Sequence, residues 1–337
     1  MTVPVVILGA ASFGGGELLR LLELHEGVKV TYMVSRSRKG ACWSDVHPNL
    51  WNRARVERFV DRVDWQTLAD HDRIVVFSAL RHGELAAQYS ELETGWRAAG
   101  ILERILLIDL SADFRLERAN CGFVYGLSEW MADDLRQARR IANPGCFATA
   151  LALGMLPLVR HLDPDHLATF GLTGSSGAGL TPTDRTHHPF RAHNFQPYQP
   201  FRHRHAAEVD RMLVRHARPA DWSFIPYSAS WVRGIHVTIE TCLPRPLADG
   251  ELTRIYEGSY PRSPFVHWVG ELPGLLSVVG SNHCLIGGAV HGRHVAVFVV
   301  LDNLVKGMAG QAVQNLNLAL GWPEDRGLER LMGPYPI

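Results

Sequence analysis

The sequence predicts an α/β protein: a doubly wound parallel sheet of the Rossmann type followed by a second, α+β half. Three observations carry this. The 337 residues exceed what a single hydrophobic core usually serves. To about residue 150, short apolar runs alternate with polar, helix-compatible segments, the rhythm of βαβ units. Beyond that point the runs become alternating or β-branched and the helices between them shorter, as in an antiparallel sheet.

Val3 to Leu8 is short and continuously apolar, a buried strand. Gly9 to Gly16 is a glycine-rich turn, and apolar spacing starts a helix at Glu17 that runs to Leu24. Strands follow at Val28–Val34, Arg73–Phe77 and Arg104–Asp109. The run after Cys146, "FATALALGML", is a helix of good formers entered through Pro144 and Gly145. In the second half, strands are expected at Trp222–Tyr227, Gly234–Cys242 and His294–Leu301, and a last helix at Leu304–Leu320.

Basic and acidic residues number 34 each, so no net charge draws the chain to nucleic acid or a membrane. The start, "MTVPVVILGAASFGGGELL", has no basic n-region and reaches glycine after a short apolar run. It reads as neither a signal peptide nor a membrane span, and a cytosolic protein is expected. The five cysteines (42, 121, 146, 242, 284) are odd in number and widely spaced, without a CxxC pair. That argues against a disulfide framework or a structural zinc site, and no metal is expected.

The strand–turn–helix "VILGAASFGGGELL" suits a dinucleotide, because glycines let a pyrophosphate approach the amides of a helix N-terminus. Read as G-x-x-G-x-x-G it keeps Gly9 and Gly15 but has Ser12 between them, so a plain tight turn stays open as the alternative. After the second strand, Ser35, Arg36 and Arg38 stand where NAD-binding chains place an acid. A guanidinium suits a 2′-phosphate, which favours NADP, unless this is only a solvated basic loop. Cys146 would fall in the first turn of its helix, where unpaired amides and the helix dipole favour a thiolate; a buried structural cysteine is the competing reading.

Residues 174–213, "GSSGAGLTPTDRTHHPFRAHNFQPYQPFRHRHAAEVDRML", hold a stretch from 185 to 207 without an acid, carrying Arg185, Arg191, Arg202, Arg204 and five histidines. Such a region fits an anion, or the acidic surface of a partner. An extended His203-Arg204-His205 would turn both histidines to one side, either able to serve as acid or base. Asp302 and Asn303 cap the last helix, with Asn303 a candidate partner for a carboxamide; Gly307 and Gly310 would let that helix pack closely on the nucleotide domain.

With "VHPNL", "DLSADFRL", "NPGC", "GSSGAG", "HRHAAE", "VRGI" and "DNLVKGMAGQAVQNLN" in this order, the chain resembles the N-acetyl-γ-glutamyl-phosphate reductase family of the aspartate-semialdehyde dehydrogenase superfamily. The resemblance implies a glyceraldehyde-3-phosphate-dehydrogenase-like second domain. It places an NADP-binding domain over 1–145 and 303–337, and a catalytic and oligomerisation domain over 146–302. It implies NADPH-dependent reduction of an acyl phosphate through a Cys146 thioester, with His203 or His205 as acid/base. Implied cofactor contacts are Gly9, Ala10, Ser12, Phe13, Gly14, Gly15, Ser35, Arg36, Ser78, Gly177 and Asn303. Implied substrate or carrier contacts are Arg115, Asn143, Ser176, His187, His188, Arg191, Arg204, Glu208 and Arg233.

"THHPFRAHN", "HRHAAEV" and "SWVRGI" look most like the branch whose substrate, α-aminoadipyl or glutamyl phosphate, rides on a small acidic amino-group carrier protein. The branch acting on free N-acetyl-γ-glutamyl phosphate has proline where this chain has Ala207. A non-catalytic nucleotide-sensing or carrier-scaffolding protein is the alternative of another class. Ala11, Ser12 and Arg81 depart from the family pattern, and a homodimer or homotetramer is implied.

Overall fold

The structure is a computed structural model that describes residues 2–51, 57–116 and 122–333, without the side chain of residue 185. Cys121 lies outside the described residues. The chain divides into two compact units, one of Met1–Asn143 and Ala309–Glu329, the other of Pro144–Met308 with the residues after Glu329.

The first unit begins with β1 (Val3–Leu8), α1 (Phe13–Leu22) and β2 (Val28–Val34). α1 starts four residues before the apolar spacing suggested, because Ser12 caps it: its Oγ accepts from the Gly15 amide at 3.1 Å. A one-turn α2 (Trp43–Val46) leads to His47, whose Nε2 lies 2.9 Å from the Ala10 carbonyl oxygen. Next come β3 (Ile74–Ser78), α3 (Glu84–Ala98), β4 (Ile105–Asp109), β5 (Val124–Tyr125), α4 (Ser128–Leu135) and β6 (Arg140–Ala142). All six strands are parallel, in the order β2-β1-β3-β4-β6-β5. The order reverses at β1/β3, the crevice where such sheets take ligands beyond their carboxyl ends.

The second unit opens with α5 (Cys146–His161), followed by β7 (Leu167–Thr173), a short α6 (His188–Arg191), β8 (Gln196–Pro197) and α7 (His205–His216). β9 (Trp222–Ser228), β10 (Ile235–Cys242), α8 (Glu251–Ser259), β11 (Val266–Trp268), β12 (Cys284–His291) and β13 (His294–Leu301) complete it. The sheet runs β11-β12-β13-β10-β7-β9-β8. It is mixed rather than antiparallel, since β7 pairs with β9, and β11 with β12, in parallel. β7 was not foreseen, although it lies between β10 and β9 at the sheet's middle. Its Gly171 gives the reason for close packing: a Cβ there would fall 2.9 Å from the Phe224 ring and overlap Phe147 of α5.

The chain then returns to the first unit through a π turn (Val305–Ala309) and α9 (Gly310–Ala319). The boundaries expected at 145/146 and 302/303 therefore fall at 143/144 and 308/309. Gly145 is tied to Glu208, and Asn303 to Gly234 and Ser176, so these segments stay with the second unit. α9 is buried yet polar, and its amides are used: Gln311 and Asn315 donate to the Gly126 carbonyl, and Asn315 also to Asn143 Oδ1.

Candidate active site

Cys146 is the first residue of α5, with Gly145 at the N-cap and no side chain capping it. The free amides of that turn and the helix dipole leave partial positive charge around the thiol. A Cβ on Gly307 would stand 2.8 Å from Cys146 Cβ, so the π turn passes the thiol only as glycine. Gly307 thus packs within the second unit, against Cys146.

His205, the first residue of α7, is buried with its ring where a Gly145 side chain would go. Glu208, one turn on, is 2% exposed; its Oε2 accepts from the Gly145 amide at 2.9 Å and its Oε1 lies 4.0 Å from His205 Nε2. One carboxylate therefore bonds the turn before the thiol and lies near the imidazole packed on that turn. Glu208, expected as a substrate contact, is thus bonded within the protein.

His203 has a different setting. Residues 203–205 turn into α7 instead of running extended, and His203 Nδ1 accepts from the His205 amide at 3.3 Å. Its ring meets Phe147, Tyr198, His205 and Phe224 edge-on, with centroids 4.6 to 5.7 Å apart. Burial, then the charge of Arg204, push its pKa down to about 4. A ring kept neutral and bonded through Nδ1 is a poor proton donor.

Tyr198 was not anticipated. Burial, then the negative charge of Cys146, raise its phenol well above the ordinary range, with Arg204 and Arg191 acting the other way. That places a neutral hydroxyl in the field of the thiolate. Its loop is strained, since His193, Gln199 and Phe201 all take left-handed backbone conformations.

Arg233 bonds Asp302 through Nε (3.1 Å) and a terminal nitrogen (3.4 Å). Asp302 is fully buried and also accepts from the amides of Gly280, Leu304 and Val305, so it orients the guanidinium firmly. Ser176 donates to the Val232 carbonyl and accepts from Asn303, whose own oxygen takes the Gly234 amide. These two side chains lock the "GSSGAG" and "VRGI" loops together, with Gly177 3.2 Å, at its missing Cβ, from Thr173 Oγ1. They hold the loop, at positions where substrate and carboxamide contacts were expected.

Arg191 is turned to β9, donating to Ser228 Oγ and the Ala229 carbonyl. It anchors α6 where a ligand contact was expected, while His187, His188, Arg202 and Arg204 stay on the surface. Arg115 and Asn143 are buried in the first unit. Arg115 donates to the carbonyls of Asn143 and Leu110, and Asn143 accepts from Asn315.

The nucleotide residues lie at the β1/β3 crevice of the first unit. Gly9 is left-handed (φ +72°), and a Cβ there would stand 2.6 Å from the Ala79 carbonyl oxygen. Ala10 and Gly15 approach too closely for a side chain on Gly15, and Gly14 and Gly15 are buried, with Phe13 half-exposed at the helix start. Ser78, at the end of β3, is fully buried and its Oγ has no hydrogen-bond partner, an opening for a ligand's polar atom. Ser35 is buried 3.4 Å from Ser37 at their hydroxyls, next to exposed Arg36 and Arg38, with no acid at the end of β2. The set fits a dinucleotide with a 2′-phosphate. Sequence reasoning missed His47, whose ring stands 2.5 Å from a Gly16 Cβ position and fixes the turn; "VHPNL" was its signal.

Among the described residues no three histidine, cysteine or acidic side chains are placed to hold a metal ion, and no helix is long and apolar enough to cross a membrane. Among the described residues Cys42, Cys146, Cys242 and Cys284 form no disulfide.

Residues 4–138 match the family model of the semialdehyde dehydrogenase NAD binding domain, and 146–303 that of the semialdehyde dehydrogenase dimerisation domain. The chain is 35% identical to N-acetyl-gamma-glutamyl-phosphate reductase of Bacteroides fragilis, over 96% of each chain. It is 37% identical to the same enzyme of Bacillus cereus, over 98% of this chain and 99% of that one. A protein of Thermomicrobium roseum, provisionally named LysW-L-2-aminoadipate 6-phosphate reductase, is 38% identical over the whole of both chains. Among solved structures, aspartate semialdehyde dehydrogenase II of Vibrio cholerae shares the fold with a TM-score of 0.71 at 17% identity, covering 95% of this chain and 99% of that one.

Proposed function

The chain belongs to the N-acetyl-γ-glutamyl-phosphate reductase family of semialdehyde dehydrogenases, and we propose that it reduces an acyl phosphate to a semialdehyde with NADPH. The observation that carries this is Cys146 at the head of α5, with His205 packed on Gly145 and Glu208 behind both.

His205 takes the thiol proton, and the Cys146 sulfur attacks the acyl carbon. Amides of the α5 first turn stabilise the oxyanion, which collapses to a thioester and inorganic phosphate. NADPH, when bound, supplies the hydride that reduces the thioester carbon. His205 returns its proton to the departing thiolate as the semialdehyde forms; the one proton consumed beside the hydride comes from solvent and ends on the released phosphate. The glycine turn, Ser78 and the Ser35–Arg38 segment hold the dinucleotide. Cys146→Ser should lower turnover at least about a thousandfold while leaving NADPH binding, read by fluorescence, intact. Turnover within tenfold of the parent would overturn the assignment.

For the acyl group we favour one tethered to a small acidic carrier protein, in the cytosol, with the enzyme acting as a homo-oligomer. The exposed loop carrying His187, His188, Arg202 and Arg204 beside Phe190, Phe195 and Phe201 offers charge and apolar area to such a partner. Free N-acetyl-γ-glutamyl phosphate is the second reading, favoured by the names of the Bacteroides and Bacillus relatives.

A further inference from the structure

A cavity of about 650 Å³ opens in the second unit at the far ends of the two helices that begin with Cys146 and His205. Its size is that of a small-molecule pocket. The C-terminal turn of α5, the end of α7 and the loop after β10 form it. Val159 and Leu243, each 2% exposed, and Leu162 give it an apolar floor. Three guanidiniums, Arg160, Arg218 and Arg245, line it against one carboxylate, Asp163.

Helix C-termini carry negative partial charge, and this must be set against the cations. Arg160 and His161 in the last turn of α5, with Arg215 and His216 in that of α7, offset it. Arg218 and Arg245 come from loops and carry no such duty. Arg218 pairs with Asp163, whose side chain is 85% exposed, and Arg245 with Glu251. The Arg218–Asp163 pair is exposed and contributes little, so a ligand can replace Asp163 at the Arg218 guanidinium, while Arg245 keeps Glu251 through two bonds and adds its charge at the rim. α5 is about 22 Å long at 1.5 Å per residue, which separates the cavity from the thiol at its other end.

We infer that this cavity binds a small organic anion with an apolar body, its carboxylate or sulfonate held by Arg218 and Arg245 and its carbon chain on Val159, Leu162 and Leu243. The test titrates the full chain, with Cys146 alkylated and NADP present, with the fluorescent probe anilinonaphthalene sulfonate. The inference expects one saturable probe per chain, displaced by hexanoate but not by hexanol. A combined Arg218→Ala and Arg245→Ala change should raise Kd at least tenfold, and so should Leu247→Asp, which puts a like charge in the lining. Kd unchanged in both variants, or hexanol displacing the probe as well as hexanoate, would overturn it. Neither readout involves turnover, so failure here leaves the acyl-phosphate reading untouched.

Discussion

The two histidines of "HRH" differ by two positions in sequence and by a whole chemical role in the structure. His203 is enclosed by aromatic edges and accepts a backbone N–H, whereas His205 sits against the turn that presents Cys146. His205→Asn should therefore reduce kcat by about a hundredfold to ten-thousandfold, the usual range for a lost acid/base, while His203→Asn should cost stability more than kcat. Equal kcat losses at full folding would remove the distinction. The His203 pKa of about 4 is below its unfolded value near 6.5, so the unfolded chain takes up a proton first as pH falls. The stability this neutral ring contributes is complete above pH 6.5 and is lost on the way down to pH 4, up to about 3 kcal/mol. Urea melts at pH 7 and pH 4.5 should show a drop that His203→Asn lacks in part; identical drops would contradict it. The sequence made Cys146, His203 and His205 visible as a set. It could not separate the histidines, because burial and the start of α7 decide which ring lies against the turn before the thiol.

At the scale of elements, α5 was foreseen from its good helix formers, but Pro157 inside it poses a problem the sequence leaves unsolved. Proline has no N–H for the carbonyl four residues back, that of Leu153. Two buried tyrosines supply donors from the α8 side: Tyr260 Oη bonds the Leu153 carbonyl at 2.6 Å and Tyr256 Oη the Gly154 carbonyl at 2.5 Å. Tyr260→Phe would leave a buried carbonyl unsatisfied, at a cost of about 1–3 kcal/mol. In a Pro157→Ala background the restored amide can take that carbonyl, so the same substitution should cost measurably less. A double-mutant cycle by urea unfolding reads the difference; additive losses would show that tyrosine and proline are not linked. Here the helix was legible, while its repair depended on residues about a hundred positions away that only the fold brings near. The missed β7 has the same cause, because its Gly171 is chosen by Phe147 and Phe224 rather than by strand propensity.

Across the whole molecule, the βαβ rhythm of the first half was enough to predict a doubly wound parallel sheet, while the reversal of its order beside the glycine turn is visible only in the structure. The mixed order of the second sheet was not legible, because strand pairing at long separation leaves no local mark. Charge follows a similar rule: a chain with 34 cations and 34 anions can still present a local basic face. The structure reduces that face from what the acid-free stretch suggested, since His203 and His205 are buried and Arg191 is committed to β9. Among the described side chains of that stretch, Arg202, Arg204, His187, His188 and His193 stay exposed, with Phe190, Phe195 and Phe201. An acidic carrier would be steered by those charges over a distance set by ionic strength, whereas a small free substrate feels mainly the charges inside its own pocket. For a carrier-bound acyl phosphate, kcat/KM should fall severalfold between about 0.05 and 0.5 M salt, where the Debye length shrinks from roughly 14 to 4 Å. Arg202→Glu should lower it a further threefold to tenfold by slowing association, with kcat little changed. The same variant with free N-acetyl-γ-glutamyl phosphate should show neither effect. A free substrate turned over as efficiently as the carrier-bound one, with the same salt dependence, would assign this exposed face no part in substrate capture.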